Sequence, residues 1–267
     1  MLLSKPSLDA INALAPSQVD FLKALPKVEL HAHLNGSIPL PILQQLAEEY
    51  VPSGTGTDPT LLAIQAGIEK LQDGLVFDDI LEVFNIFPAI CALTSTKGAL
   101  ARASHAVLAE FLEPKDGEAY PQATYLELRS TPKETLEMTR LEYIETVLDE
   151  VEKYRPDQAA FIVSLDRRMS KEVADECVEA AITLKKRGRR VVGVDVCGTP
   201  TVSNFWIYVV AEAYRSAGRR YETVCDTLCG RQSCGIGHHT PHRRGTFVVA
   251  LCEPSRSDYD TDNRKYA

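Results

Sequence analysis

Residues 27–35, KVELHAHLN, alternate between apolar and polar side chains, so the apolar residues share one face of the segment. A period of two residues is typical of a β-strand with one buried face, and Pro26 precedes the segment as an opener. His31 and His33 fall together on the other face, two positions apart. The pattern therefore predicts a strand that directs two imidazoles the same way.

The sequence after this strand has apolar residues at helical spacing. That spacing predicts helices at 40–50, 60–72, 77–92 and 96–113. A loop rich in Ser, Gly, Thr and Pro at 52–59 separates the first two.

In the middle of the chain, continuous apolar runs alternate with segments whose apolar residues have helical spacing. The runs predict strands at 124–130, 159–166 and 191–198. Helical spacing predicts helices at 134–154, at 170–187 with Ser170 as N-cap, and at 204–217 with Gly218 just past the end. Strand and helix in this order predict right-handed βαβ units on a parallel sheet, which is the α/β class.

The character of the sequence changes near Gly218. Residues 219–267 contain 8 basic and 6 acidic residues, a net charge of +2, whereas residues 1–218 contain 21 and 31, a net charge of −10. The later segment has no sustained period, and only 245–252 is typical of a strand. We therefore divide the chain into 1–218 and a tail, 219–267, that we expect to be unrelated in sequence and largely disordered.

Composition excludes several classes of protein. The 267 residues are 45% hydrophobic and 25% charged, as in a soluble globular protein, and the formal charge of −8 argues against binding to nucleic acid or an anionic membrane. The longest uncharged apolar run, Phe205–Ala211, is too short to span a bilayer. Lys5 and Asp9 interrupt the place where a signal peptide needs an apolar core, so we expect a cytoplasmic chain whose seven cysteines are thiols.

His31 and His33 are candidate metal ligands. Two imidazoles on one face of a strand suit a single metal ion, most often Zn²⁺, but the same pattern also fits two polar positions at a strand end.

Four motifs, in order, resemble the adenosine deaminase family, which comprises zinc-dependent purine deaminases of the amidohydrolase superfamily built on a (β/α)8 TIM-type barrel. They are LPKVELHAHLNGS (25–37), YLELRSTPK (125–133), VSLDRR (163–168) and VVGVDVCGTPT (191–201). Asn35, where classical members have Asp, and the Ser-Thr-Pro-Lys sequence at 130–133 resemble the adenosine deaminase-like branch, which acts on N6-methyl-AMP. The resemblance covers residues 21–218.

The resemblance implies that His31 and His33 are two ligands of one Zn²⁺ per subunit, at the carboxyl ends of the barrel strands. The substrate-binding residues that it implies are His33, Asn35, Ser130, Thr131, Pro132, Lys133, Asp166 and Gly198.

The implied roles follow the chemistry of these side chains. His33 would also neighbour the purine, and Asn35 would touch the ribose or nucleotide. The hydroxyls and the cation of the 130–133 segment would approach the 5′-phosphate. Gly198 would let the backbone approach the base closely. Two alternatives stay open: ordinary turn chemistry at Ser130–Pro132 and a surface salt-bridge cluster at Asp166–Arg168.

The sequence also departs from the family pattern. Cys91 stands where the branch often has His, and Cys197 and Thr199 stand where Ser and Asp are usual. The family's His-x-x-Glu and Asp-Asp motifs, which complete the metal site and supply the general acid, are not found after Gly218, so no catalytic residue is assigned. We therefore expect a barrel with about the first four strands only.

The expected function is zinc-dependent hydrolytic deamination of a purine nucleotide, N6-methyl-AMP to IMP or an AMP- or adenosine-type substrate. The expected partner is that small molecule, with no nucleic acid and no membrane, and we expect a monomer. The alternative is a catalytically inactive fragment, or a splice or gene-model product that lacks the rest of the metal site. A zinc knuckle among the Cys and His residues of 225–242 is disfavoured because no C-x2-C pair occurs, and the basic run 185–190 fits a helix C-terminus better than a binding patch.

Overall fold

The computed structural model describes residues 5–52, 58–74, 80–198, 221–222 and 247–250. The α-helices are α1 Lys5–Asn12, α2 Pro16–Ala24, α3 Leu34–Ser37, α4 Leu40–Glu49, α5 Pro59–Asp73, α6 Phe87–Leu93, α7 Lys97–Leu112, α8 Arg140–Val151 and α9 Lys171–Lys186, with a 3-10 helix at Ile80–Ile86. The strands are β1 Val28–His33, β2 Tyr125–Ser130, β3 Ala159–Asp166, β4 Val191–Cys197, β5 Tyr221–Glu222 and β6 Phe247–Ala250.

The chain divides into two compact units. The first contains Met1–Phe161 with Arg189–Val191, and the second contains Ile162–Gly188 with Val192–Ala267. Strand β3 contributes its first three residues to the first unit and the rest to the second.

In the first unit the strand order is β1-β2-β3. Strands β1 and β2 are parallel, with His33 opposite Arg129 and an irregularity in register between Glu29 and Ala32. Leu126 and Leu128 on β2 are fully buried, as is typical of a parallel strand covered on both faces.

Helices α7 and α8 pack against each other beside these strands. Helix α8 begins with a capping box, in which Thr139 Oγ1 accepts from the Glu142 N–H at 3.3 Å and Glu142 Oε2 accepts from the Thr139 N–H at 2.8 Å. This cap sets the start of the helix at Arg140, later than the predicted 134–154. At its other end, Arg190 Nη1 donates to the Val151 and Tyr154 carbonyls at 3.0 and 2.9 Å.

In the second unit the strand order is β3-β4-β6-β5. Strand β4 pairs in parallel with β6, Gly193 lying opposite Val248, and β6 pairs in parallel with β5. Helix α9 begins as predicted, with Ser170 Oγ accepting from the Val173 N–H at 3.4 Å. The α/β class is therefore confirmed, with parallel strands separated along the chain by helices.

Several sequence predictions need correction. Of the predicted helix 77–92, the structure describes residues 80–92, which form a 3-10 helix followed by α6, because Pro88 in the first turn of α6 has no N–H to continue the preceding hydrogen bonds. Helices α1, α2 and α3 were not predicted, and α3 includes the last two residues of the predicted strand 27–35. The predicted helix 204–217 lies outside the described residues, as does most of the tail, although β6 falls within the predicted strand 245–252. Among the helices that the structure describes, none is both long and apolar enough to cross a membrane.

Candidate functional site

The two histidines of β1 converge at the end of the strand. Their Nε2 atoms are 3.2 Å apart, with ring centroids at 5.1 Å and ring planes inclined by 57°. Two imidazole nitrogens bound to one tetrahedral Zn²⁺ lie about 3.3 Å apart, given Zn–N bonds of about 2.0–2.1 Å. The observed pair therefore fits two ligands of a shared ion.

A side chain of β1 itself holds the main chain beside the histidine pair. The Glu29 carboxylate accepts from the His31 main-chain N–H at 2.7 Å, at the place where the register of β1 is irregular. Within the part of the chain that the structure describes, no group of three or more His, Cys, Asp or Glu side chains gathers around a potential metal position. His31 and His33 therefore stay a predicted pair of metal ligands, with a mutual spacing that suits one ion.

Asn35 joins three elements beside the histidines. It lies in α3, two residues after His33, and its Nδ2 donates to Cys91 Sγ of α6 at 3.5 Å. Its Oδ1 accepts from Ser130 Oγ, at the end of β2, also at 3.5 Å. The structure therefore places Asn35, Ser130 and Cys91 together, and Cys91 stands beside a predicted substrate-binding residue.

Tyr143 completes this group and was not identified from the sequence. Its hydroxyl lies 2.7 Å from Ser130 Oγ, and its side chain is only 2% exposed. Burial raises the pKa of this phenol, so Tyr143 stays protonated near neutral pH. The one available signal was its position in the apolar stripe of α8, where a hydroxyl in the core needs a partner.

The loop after β2 carries the remaining predicted phosphate-binding residues. Pro132 is buried, whereas Lys133 is exposed and forms no ion pair within the described residues. Thr135 anchors the loop through its Oγ1, which donates to the Ser95 carbonyl at 2.8 Å. The loop therefore places the exposed Lys133 ammonium near the end of β2, and the hydrogen bond of Thr135 fixes the loop.

Asp166 and Gly198 lie together in the second unit. Gly198 has φ +94°, and a Cβ atom there would lie 3.1 Å from Asp166 Oδ1, so only glycine fits without strain. Arg167 Nη1 donates to the Gly198 carbonyl at 2.7 Å. Arg168 pairs with the Asp166 carboxylate through two nitrogens, at 2.8 and 2.6 Å. The salt bridge of the alternative interpretation is thus present, and the same carboxylate also abuts Gly198.

Two arginines of the basic run 185–190 form contacts with helix α8 and the residue that follows it. Arg189 pairs with Glu152 at 2.8 Å and with Asp149 at 2.7 Å, and Arg190 donates to the carbonyls at the end of α8. These arginines are therefore engaged inside the first unit. The Cys and His residues of 225–242 lie outside the described residues.

The chain matches no protein-family model. It is similar to curated proteins named N6-methyl-AMP deaminase from Danio rerio, 34% identical over 192 residues, and from Homo sapiens, 32% identical over 195 residues. These matches cover 69% and 70% of this chain and 50% of each relative. The adenosine deaminase-like protein of Drosophila melanogaster is 31% identical over 190 residues, covering 69% of this chain and 52% of that protein. The chain spans about half the length of the curated relatives it matches.

Solved structures show the same fold. The crystal structure of Arabidopsis N6-mAMP deaminase matches with a TM-score of 0.57 at 29% identity, covering 74% of this chain and 58% of that chain. An Arabidopsis structure complexed with IMP also gives 0.57 at 29% identity, covering 74% and 57%. An amidohydrolase from Burkholderia ambifaria with bound Zn matches in fold, with a TM-score of 0.53 at 23% identity, covering 80% and 55%.

These neighbours confirm the predicted barrel class. The first three family motifs reach the carboxyl ends of β1, β2 and β3, where the structure places His33, Ser130 and Asp166. Over the portion that it shares with its relatives, the chain belongs to the adenosine deaminase family, in the branch of the adenosine deaminase-like proteins and N6-methyl-AMP deaminases.

Proposed function

We propose that this chain carries the metal- and nucleotide-binding part of a zinc-dependent purine nucleotide deaminase that converts N6-methyl-AMP to IMP. One observation carries the proposal: the His31 and His33 nitrogens converge at 3.2 Å beside the Asn35–Ser130 pair. The relatives named N6-methyl-AMP deaminase and the Arabidopsis complex with IMP support this choice of substrate and product.

His31 and His33 would hold the ion through their Nε2 atoms. A bound Zn²⁺ supplies a water of lowered pKa, which is the nucleophile that hydrolytic deamination needs. The Glu29 carboxylate, by accepting from the His31 N–H, fixes the main chain from which the first imidazole projects.

The nucleotide end of the site would be formed by the residues at the end of β2. Ser130 and Thr131 offer hydroxyls and Lys133 a cation, which are suitable donors for a 5′-phosphate. Buried Pro132 directs the chain between them, because its ring fixes φ. Asn35, hydrogen-bonded to Ser130, would contact the ribose or nucleotide.

The second unit, taken by itself, contains two further proposed substrate contacts, Gly198 and Asp166. Gly198 exposes its backbone because it has no Cβ, and Arg167 holds its carbonyl in place. Asp166 lies against this glycine and is proposed as a further substrate contact.

Nucleotide binding without turnover is the second candidate. It is favoured by one observation: in the described ranges, no third metal ligand gathers with His31 and His33. A two-ligand site would hold Zn²⁺ weakly and would leave catalysis without its water-orienting group.

The decisive experiment incubates the purified full chain, with its fold checked by circular dichroism, with Zn²⁺ and N6-methyl-AMP, AMP or adenosine. IMP formation from N6-methyl-AMP that disappears in His33→Ala supports the deaminase. The matched control is His105→Ala, because His105 lies exposed on α7 and pairs with Glu150. Binding of AMP without product supports the second candidate, and the absence of both contradicts the proposal.

A further inference from the structure

Four polar side chains form a line of contacts through the candidate site. The Tyr143 hydroxyl lies 2.7 Å from Ser130 Oγ, Ser130 Oγ lies 3.5 Å from Asn35 Oδ1, and Asn35 Nδ2 lies 3.5 Å from Cys91 Sγ. Tyr143 and Ser130 are 2% and 4% exposed, so water has little access to their contact.

The direction of the hydrogen bonds follows from the number of hydrogens. A serine hydroxyl has one hydrogen, and an amide oxygen only accepts. Because Asn35 turns its nitrogen to Cys91 and its oxygen to Ser130, the serine hydrogen is directed to Asn35. The hydrogen in the 2.7 Å contact therefore comes from Tyr143.

The two hydrogen bonds of Ser130 differ in strength. The contact with Tyr143 has the usual length for two hydroxyls, whereas 3.5 Å to Asn35 is near the limit of a hydrogen bond. A ligand oxygen can therefore replace Asn35 as acceptor at little cost, while Tyr143 keeps its place.

The main chain of Tyr143 is anchored in the first turn of α8. The Tyr143 N–H donates to the Thr139 carbonyl at 2.9 Å in the first turn, directly inside the capping box. Tyr143 is one of the buried residues of α8.

We propose that Tyr143 is a positioning residue, which donates to Ser130 Oγ and thereby turns the serine hydrogen outward to a ligand that accepts it. The inference rests on the proposed nucleotide function. A hydrogen bond to an anionic oxygen is roughly twice as strong as one to a neutral oxygen, so a serine held as donor favours a 5′-phosphate over the 5′-hydroxyl of a nucleoside. Tyr143 thus contributes to the selection of nucleotides without touching them.

The test measures the dissociation constants of AMP and adenosine for the full chain by calorimetry, in the presence of Zn²⁺. Tyr143→Phe keeps the ring and removes the hydroxyl. We expect it to weaken AMP binding by about three- to tenfold and to leave adenosine binding within twofold, so that the ratio of the two constants changes. Ser130→Ala should change the ratio at least as much, and Tyr143→Phe should add little in the Ser130→Ala background.

Tyr154→Phe is the matched control, because it loses a hydrogen bond of the same length, 2.7 Å, to Glu113 on the surface. It should leave both constants unchanged. If the unaltered chain binds AMP no more tightly than adenosine, the proposed phosphate site fails and this inference fails with it. If the unaltered chain prefers AMP but Tyr143→Phe weakens both ligands equally, or Ser130→Ala leaves the ratio unchanged, only the role of Tyr143 is overturned.

Discussion

A Cβ atom at Gly198, at the end of β4, would lie 3.1 Å from Asp166 Oδ1 at the end of β3, which is tighter than an ordinary van der Waals contact. The backbone at Gly198 also has φ +94°, a region that L-residues rarely adopt. The tight contact and the backbone conformation therefore both favour glycine at this position.

Gly198→Ala should destabilise the fold by about 1–3 kcal/mol, because alanine meets both the unfavourable φ and the carboxylate. Urea denaturation followed by circular dichroism measures this change. Gly98→Ala is the matched control: a Cβ at Gly98 meets nothing within 4 Å, and Gly98 lies in α7, so alanine there should be neutral or stabilise by up to about 1 kcal/mol. Equal effects at the two glycines would contradict the special status of Gly198.

Zinc binding should depend on the converging histidines. His31→Ala leaves one imidazole of the pair, so we expect the affinity for Zn²⁺ to fall by at least about tenfold. Metal content after dialysis, measured by atomic emission, checks this expectation, with His105→Ala as the control. Unchanged zinc content in His31→Ala would remove this histidine from the metal site.

Lys133 should contribute to nucleotide binding through its charge. Because it is exposed, its attraction to a phosphate is screened, and we expect Lys133→Ala to weaken AMP binding by about three- to tenfold in dilute buffer and by less in high salt. Adenosine binding should not change. Lys23→Ala, which removes a lysine already paired with Glu118, serves as the control. An equal loss for AMP and adenosine would argue against a phosphate contact.

The stabilisation that the α8 cap contributes should decrease as the pH falls into the acid range. Hydrogen bonds to its carboxylate lower the pKa of Glu142 from 4.5 to about 2. The bond from the Lys97 ammonium has the largest effect, and those from the Thr139 N–H and hydroxyl add to it. Because the pKa is lower in the folded state, this carboxylate contributes its full stabilisation above pH 4.5 and loses it as the pH falls towards 2.

Glu142→Gln should therefore reduce the loss of stability between pH 4.5 and 2, while glutamine still serves the capping box. Thermal unfolding over this pH range measures the difference. The control is Glu137→Gln, whose exposed carboxylate forms no ion pair within the described residues. Identical pH profiles for the Glu142→Gln variant and the unaltered chain would show that the carboxylate does not stabilise the cap.

The sequence by itself determined the elements whose signals are local. Strand β3 has the predicted bounds, 159–166, because a continuous apolar run between polar segments is buried on both faces of a parallel sheet. Helix α9 begins at its predicted Ser170 cap because the N-cap hydrogen bond joins residues only three apart. The alternation of apolar and polar residues in 27–35 likewise predicted His31 and His33 as a pair on one face of a strand, and both lie on β1.

Only the tertiary structure decided which distant side chains meet. Asn35 and Cys91 are 56 positions apart in sequence, and Tyr143 reaches Ser130 across the packing of α8 beside β2. No period or motif records such contacts, because they depend on the angles and distances at which whole elements pack. Periodic burial and caps act within a few residues, so they specify helices and strands, whereas the hydrogen-bonded group around Ser130 exists only once those elements are assembled.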